Sequence, residues 1–194
     1  MKAALLALSL LIPAPVAPAN VSPMVVISPA AVVQVICFSK DYISAGTAFR
    51  IGGDGLTLSV NHVTGSGQCY INGKPLNLSY KSPSLDFSEV LTGEGPYLQI
   101  DCGGFVKGHR YLSLGYARGE KDLVSVELEG TGQFLDGYAI LVGMVPIIPG
   151  MSGGPILDLD TGKVVGLNNR ENFEAGLSWS QELKSTPLCK RNIA

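Results

Sequence analysis

A serine is enclosed by glycines and prolines in the stretch Pro149-Gly150-Met151-Ser152-Gly153-Gly154-Pro155. Glycine permits backbone conformations that a Cβ forbids, and it lets backbone N–H groups converge on one point. A serine hydroxyl beside two such donors is what acyl transfer requires, a nucleophile next to a hole for the oxyanion. The same residue types are common in a surface turn between strands. The stretch alone therefore leaves both interpretations open.

A serine nucleophile needs a base, and the chain has 2 histidines. Residues 56–63 alternate apolar and polar side chains, which predicts a half-buried strand with His62 at its end. Residues 44–51 predict its partner strand, and residues 52–55 predict the hairpin turn between them. His109 lies in a charged turn, where an exposed turn histidine is the simpler interpretation. His62 is therefore the candidate base.

These segments resemble trypsin-like serine proteases. Gly46-Thr47-Ala48-Phe49, followed by Leu58-Ser59-Val60-Asn61-His62-Val63, is similar to the segment that delivers the catalytic histidine in that family. The stretch around Ser152 and the residues after it, 156–168, resemble the family's nucleophile loop and its following hairpin. The resemblance covers about residues 44–180 and points to the bacterial and viral branch that includes HtrA-type protease domains.

The resemblance implies an all-β fold of two antiparallel six-stranded β-barrels, with an active site in the cleft between them. Short apolar runs broken by Gly, Pro, Asn and Asp agree with an all-β chain. We predict a linker and first strand over residues 20–43 and the protease domain over residues 44–194. The boundary between the barrels is expected near residues 100–108, after a strand at residues 96–100.

The resemblance also implies an acid between the base and the nucleophile, which would orient the imidazole. Asp86 is the first candidate, because Ser84-Leu85-Asp86-Phe87-Ser88-Glu89-Val90-Leu91 resembles the start of the family's acid-bearing strand. Asp101 is the alternative, since it follows a predicted strand. Ser88 and Glu89 stand where the family has apolar residues, so the register of this segment stays open.

The function implied is a serine endopeptidase with the triad His62, Asp86 and Ser152 and an oxyanion hole formed by the N–H groups of Gly150 and Ser152. Two alternatives stay open. One is a catalytically inactive homologue that acts as a binding module, and the other is a viral protease that processes a precursor. All three triad residue types are present beside an intact glycine-rich loop, which favours activity.

Substrate-binding residues follow from the same resemblance, and they are Ile147, Ile148, Asn168, Asn169 and Arg170. No aspartate precedes the nucleophile at the pocket base, so a preference for Lys or Arg has no support here. The two isoleucines favour an uncharged side chain, whereas Arg170 would attract an acidic one. Met151 stands where animal digestive proteases carry the aspartate of their activation switch, so that switch is not expected.

The N-terminus resembles a processing segment. Met1-Lys2, an apolar run over residues 3–12 and Ala17-Pro18-Ala19 predict a signal peptide at residues 1–19, because the run is too short to span a bilayer. The protein is then secreted or periplasmic. The alternative is an apolar extension, such as a membrane anchor or part of a viral precursor. Only a short tail follows Trp179 in this sequence, so a PDZ-type peptide-binding domain is not expected in it.

The net charge and the cysteine content limit the kinds of partner and ligand to be expected. The formal net charge of -2 gives no electrostatic case for nucleic acid. We expect a peptide or protein substrate, no cofactor, no metal, no stable membrane span and a monomer. The cysteines are Cys37, Cys69, Cys102 and Cys189, and their spacing is not typical of a metal site. They are either free buried thiols or two disulfides in a pairing that the sequence leaves open.

Overall fold

A computed structural model describes residues 27–192, which form an all-β fold of two barrel-like units with short helices. The predicted signal peptide at residues 1–19 lies outside the described residues. Seven strands build the first unit, namely β1 (Val32–Phe38), β2 (Ile43–Arg50), β3 (Leu56–Ser59), β4 (Gln68–Ile71), β5 (Lys74–Pro75), β6 (Asn77–Lys81) and β7 (Ser88–Leu91). Six strands build the second, namely β8 (Arg110–Gly115), β9 (Val124–Leu135), β10 (Tyr138–Val142), β11 (Pro155–Asp158), β12 (Val164–Asn172) and β13 (Leu177–Glu182). Two α-helices complete it, α1 (Asn61–Thr64) and α2 (Pro187–Asn192).

The first unit is a curled antiparallel sheet in the order β5-β4-β1-β2-β3-β7-β6. It has seven strands rather than six because the two-residue strand β5 pairs with β4 at one edge. β1 pairs with β2 over its full length, so the sheet begins at Val32. Apolar side chains from these strands form a buried core that continues beneath the second unit through residues such as Leu114 and Leu167.

The second unit is a closed antiparallel barrel in the order β10-β13-β12-β11-β8-β9, and β9 closes it by pairing with β8 and β10. Its own core includes Tyr111, Leu141 and Ile147, each fully buried. The predicted all-β architecture of two barrel-like units is thus confirmed. The first unit departs from it in strand number and in remaining open.

Two local predictions are wrong. Residues 96–100 belong to the connection between the two units and form no strand. Their pairing is limited to a single parallel bridge, between Ile100 and Val164. The strand that precedes His62 ends at Ser59 rather than at the histidine. The carbonyl oxygen of Val60 accepts hydrogen bonds from the backbone N–H groups of Val63 and Thr64, and these bonds close one helical turn. His62 therefore lies in α1.

All four cysteines are paired. Cys37 and Cys69 lie directly opposite each other on β1 and β4 and form one disulfide. Cys102 and Cys189 form the second, which ties the connection between the units to α2 over a sequence separation of 87 residues. A cross-link over so long a loop removes much entropy from the unfolded chain.

An ion pair fastens α2 to the first unit as well. Glu89 is 5% exposed in β7, and its carboxylate accepts a hydrogen bond from the Arg191 guanidinium. The neighbouring Ser88 is buried and its hydroxyl accepts a hydrogen bond from that of Thr64, at 3.1 Å. The two polar residues that depart from the apolar pattern of the family therefore both have partners from other elements.

Arg191→Ala is expected to destabilise the fold by about 1–3 kcal/mol, because it leaves a buried carboxylate without its cation. We expect a smaller loss of stability than for a fully buried ion pair, because the Arg191 side chain is 54% exposed to water. Thermal or urea unfolding measures the change. Lys190→Ala removes an exposed charge from the same helix and should change stability little. Equal effects of the two variants would contradict this account of the ion pair.

Candidate active site

A cleft of about 520 Å³ lies between the two units and is lined by residues of both. From the first unit it receives His62 and Asp86, and from the second Gly150 and Ser152. The structure therefore brings the four residues that sequence predicts for catalysis to one cleft. Asp101, the alternative acid, lies in the connection between the units, where its carboxylate accepts a hydrogen bond from the N–H of Gly103 at 2.7 Å.

Asn61 fixes the position of the predicted acid relative to the histidine. Its side-chain amide donates to the carbonyl oxygens of Ser82 and Leu85, at 3.0 and 2.8 Å. These two residues belong to the loop that carries Asp86, and Asn61 is the residue before His62. The first turn of α1 and the acid-bearing loop are therefore joined by side-chain hydrogen bonds.

Asp86 accepts three hydrogen bonds. The His62 Nδ1 lies 2.6 Å from its Oδ2, the backbone N–H of His62 donates to its Oδ1 at 3.0 Å, and the Asn169 amide donates to its Oδ2 at 2.8 Å. Burial raises the pKa of Asp86, but the hydrogen bonds and charge of His62 and the amide of Asn169 lower it by more. The net pKa lies below its ordinary value, so the carboxyl is ionised near neutral pH.

Glycines at two positions allow the loop around the serine to pack as closely as it does. Gly150 has φ 96° and Gly153 has φ 84°, both in the region that L side chains rarely adopt. A Cβ on Gly153 would overlap the carbonyl oxygen of Thr47, and one on Gly150 would overlap that of Tyr116. Any larger residue would have to push the loop away from its neighbours.

Thr47 joins the loop to the first unit. Its N–H donates to the Ser152 carbonyl at 2.9 Å, and its hydroxyl donates to the Gly150 carbonyl at 2.8 Å. From the second unit, the Asn168 amide donates to the Met151 carbonyl at 3.2 Å, and Met151 itself is fully buried. Thr47 belongs to the sequence motif, but the motif does not predict that Thr47 forms hydrogen bonds to the second unit.

The Ser152 hydroxyl donates to the Asn169 carbonyl at 3.0 Å. In this geometry it does not donate to His62, so a contact between nucleophile and base requires the hydroxyl to leave the Asn169 carbonyl. Among the described residues, the N–H groups of Gly150 and Ser152 donate to no protein acceptor. Two free donors beside a serine are compatible with binding an oxyanion.

The predicted substrate-binding residues separate into two groups. Asn169 and Arg170 line the cleft. Ile147 and Asn168 are fully buried, the first in the core of the closed barrel and the second in hydrogen bonds to Leu114 and the serine loop, so neither side chain is accessible to a ligand. Ile148 lines a separate apolar depression beside Met144 and Val145.

Glu171 also lines the cleft, although the sequence reasoning did not select it. It follows Arg170 on β12, so its place on the strand gave a signal that could have found it. Burial raises the pKa of Glu171, and the charge of the nearby His62 opposes part of that rise. The cleft therefore contains a second carboxyl group besides Asp86.

His109 is half-buried rather than exposed. Its Nδ1 lies 3.1 Å from the Asp158 carboxylate and 3.6 Å from that of Asp160. Within residues 27–192 these three side chains place potential metal-ligating atoms within 4.8 Å of one another. Asp158 also accepts the N–H groups of Asp160 and Thr161, at 2.7 and 3.2 Å. These hydrogen bonds stabilise the turn between β11 and β12, and this structural role explains the cluster.

Across residues 27–192, no helix is both long enough and apolar enough to cross a membrane.

The fold is similar to solved structures of serine proteases. The active form of the Rv3671c protease from M. tuberculosis has a TM-score of 0.68 at 19% identity, over 88% of this chain and 90% of that one. The HtrA-type protease AlgW, solved with a tripeptide, has a TM-score of 0.67 at 19% identity, over 84% of this chain and 60% of its own. The serine endoprotease from Yersinia pestis has a TM-score of 0.67 at 17% identity, over 84% and 61%.

At these identities the likeness establishes the fold, which is the two-unit β fold of HtrA-type and trypsin-like serine proteases. The chain spans 60% and 61% of the AlgW and Yersinia pestis proteins, so it corresponds to part of their length. No protein-family profile and no curated protein sequence matches it.

Proposed function

We propose that this protein is a serine endopeptidase in which Ser152 is the nucleophile, His62 the general base and acid, and Asp86 the acid that orients the imidazole. The observation that carries the proposal is the 2.6 Å contact between His62 Nδ1 and Asp86 Oδ2, in the cleft that also contains the Ser152 loop. The order of the three residues in the chain, and their division between the two units, agree with the structural neighbours being serine proteases.

The chemistry begins when the Ser152 hydroxyl rotates from the Asn169 carbonyl towards His62 Nε2. Its Oγ attacks the carbonyl carbon of the substrate peptide while Nε2 takes its proton. The carbonyl oxygen becomes an oxyanion and accepts hydrogen bonds from the N–H groups of Gly150 and Ser152, each worth roughly 3–4 kcal/mol to the transition state. His62 then gives the proton to the leaving amine, and an acyl ester on Ser152 remains.

Water completes the reaction. His62 takes a proton from a water molecule as the water oxygen attacks the ester carbonyl, and the same N–H pair accommodates the second oxyanion. The Ser152–acyl bond breaks, His62 returns the proton to Oγ, and the carboxylic acid product leaves. Ionised Asp86 keeps the proton of neutral His62 on Nδ1, which leaves Nε2 free as the acceptor, and stabilises the imidazolium when it forms.

One observation favours a second candidate, an inactive homologue that binds peptides without cleaving them. The Ser152 hydroxyl is bonded to the Asn169 carbonyl rather than to His62. Side-chain rotamers of accessible residues change within picoseconds to nanoseconds, which is far faster than turnover, so this geometry does not by itself prevent catalysis. A precursor-processing protease would use the same residues and would differ in its substrate.

The paired cysteines bear on the compartment. Disulfides persist in oxidising environments and are rare in the cytosol. Together with the predicted signal peptide, the pairs Cys37–Cys69 and Cys102–Cys189 support action outside the cytosol, in a secreted or periplasmic setting.

The proposal is tested with a peptide library of unbiased sequence, incubated with the purified protein near neutral pH and examined by mass spectrometry. We expect new peptide termini to form with the wild-type protein and not with His62→Ala. Circular dichroism of both proteins establishes that they are folded. A folded wild-type protein that cleaves nothing in the library, or a His62→Ala variant that cleaves as well, would overturn the proposal.

A further inference from the structure

Glu171 is a half-buried carboxyl group in the cleft that holds Ser152 and His62. Among the described residues it has no ion pair with a lysine or arginine, and the hydrogen bond that its carboxyl group accepts comes from its own backbone N–H. The other carboxyl group of the cleft, Asp86, already accepts three hydrogen bonds. Within the described residues, Glu171 is therefore the acid of this cleft whose carboxyl group accepts no hydrogen bond from another residue and pairs with no lysine or arginine.

Arg170 does not neutralise it. Arg170 lines the same cleft, but its guanidinium contacts other residues. The Arg170 guanidinium lies over the ring of Tyr138, 4.9 Å from its centroid, and its Nε donates to the Asn169 side chain at 3.2 Å. These contacts engage the Arg170 guanidinium, and within the described residues it forms no ion pair with Glu171.

We propose that Glu171 selects substrates with a cationic side chain, lysine or arginine, within three residues of the scissile bond. The inference rests on the proposed peptidase activity and names the substrate class of that same site. It replaces the expectation of an uncharged or acidic substrate side chain, which depended on Ile147, Ile148 and Arg170. Ile147 is buried, Ile148 lines a different depression, and the Arg170 guanidinium is engaged by Tyr138 and Asn169.

The chemistry supports a cation rather than another ligand. Burial raises the pKa of Glu171 because the carboxylate loses water, and its own backbone N–H and the charge of His62 offset only part of that rise. A lysine ammonium or an arginine guanidinium in the cleft would supply a cation in direct contact with the carboxylate. The attraction is stronger than between fully exposed charges, since the cleft walls limit screening by water.

The experiment uses quenched fluorescent peptides built on a sequence that the library shows to be cleaved. Lysine, norleucine or glutamate is placed in turn at each of the three positions on either side of the scissile bond. Norleucine keeps most of the length of lysine and removes its charge. At one position or more, we expect kcat/KM for lysine to exceed that for norleucine by about tenfold, which corresponds to 1.4 kcal/mol.

Variants assign the preference to Glu171. Glu171→Gln should bring the ratio of kcat/KM for lysine and norleucine close to one, and Glu171→Lys should favour glutamate at the same position. Glu174→Gln removes an exposed acid from the same hairpin and should leave the ratio as in the wild type. If Glu171→Gln lowers kcat/KM for both peptides equally, the residue acts through His62, and the inference is wrong.

The two proposals fail in different ways. Cleavage of the library with no preference for a cation at any position overturns the role of Glu171 and leaves the peptidase proposal intact. Absence of all cleavage by the folded wild-type protein overturns both.

Discussion

Ser152→Ala is expected to lower kcat for peptide hydrolysis by roughly 10⁶-fold, because removal of the nucleophile from the catalytic triad of another serine protease costs about this much in kcat. The side chain makes one hydrogen bond, to the Asn169 carbonyl, and Ser152 is half-buried, so the variant should remain folded. Hydrolysis of a fluorescent peptide measures the rate, and thermal unfolding measures the stability.

Ser44→Ala is the matched control, since Ser44 lines the same cleft from β2. It should retain the rate within a small factor. A Ser152→Ala variant that hydrolyses the peptide at the wild-type rate would show that another group is the nucleophile.

Asp86→Asn is expected to lower turnover by about 10⁴-fold near neutral pH. An amide in place of the carboxylate can donate a hydrogen bond to His62 Nδ1, which places the imidazole proton on Nε2. The nitrogen that should accept the serine proton is then occupied. The contact that this variant alters is the 2.6 Å pair between Nδ1 and Oδ2.

Asp101→Asn is the control for the alternative acid. Asp101 accepts an N–H from Gly103 in the connection between the units, so its loss should affect turnover little. Steady-state kinetics of both variants, with circular dichroism to verify folding, decide between them. A steep loss in Asp101→Asn with full activity in Asp86→Asn would mean that the wrong acid has been assigned.

The sequence predicted the fold class well because the signals were local. Short alternating runs and glycine-rich turns indicate strands and hairpins wherever they occur. β2 lies within one residue of its predicted position, and β3 begins at the predicted Leu56 but ends at Ser59. The motifs around His62 and Ser152 were equally local, and both residues line the cleft. These features depend on neighbours within a few residues.

Predictions that depended on distant contacts were less successful. Residues 96–100 have the side chains of a strand but lack a partner strand, so a single bridge forms at Ile100. An acidic residue is unexpected at position 89 of an apolar strand. Its counter-charge is Arg191, which lies 102 residues further along the chain. Nothing in the sequence near Glu89 indicates that partner.

The pocket residues illustrate the same limit. Which side chains of β12 face the cleft depends on an irregularity in its pairing with β13, between Asn168 and Arg170. A shift of one residue moves each side chain to the opposite face of a strand. The burial of Asn168 was therefore beyond a prediction from sequence pattern alone, whereas Glu171 could have been selected from its place next to Arg170 on the strand.

The most direct test of the triad is covalent labelling with a fluorophosphonate, which reacts with activated serines, followed by peptide mapping. We expect one label per chain, on Ser152, in the wild-type protein, and strongly reduced labelling in His62→Ala because the hydroxyl then has no base. A folded wild-type protein that takes no label, or that takes it on a different serine, would contradict the account.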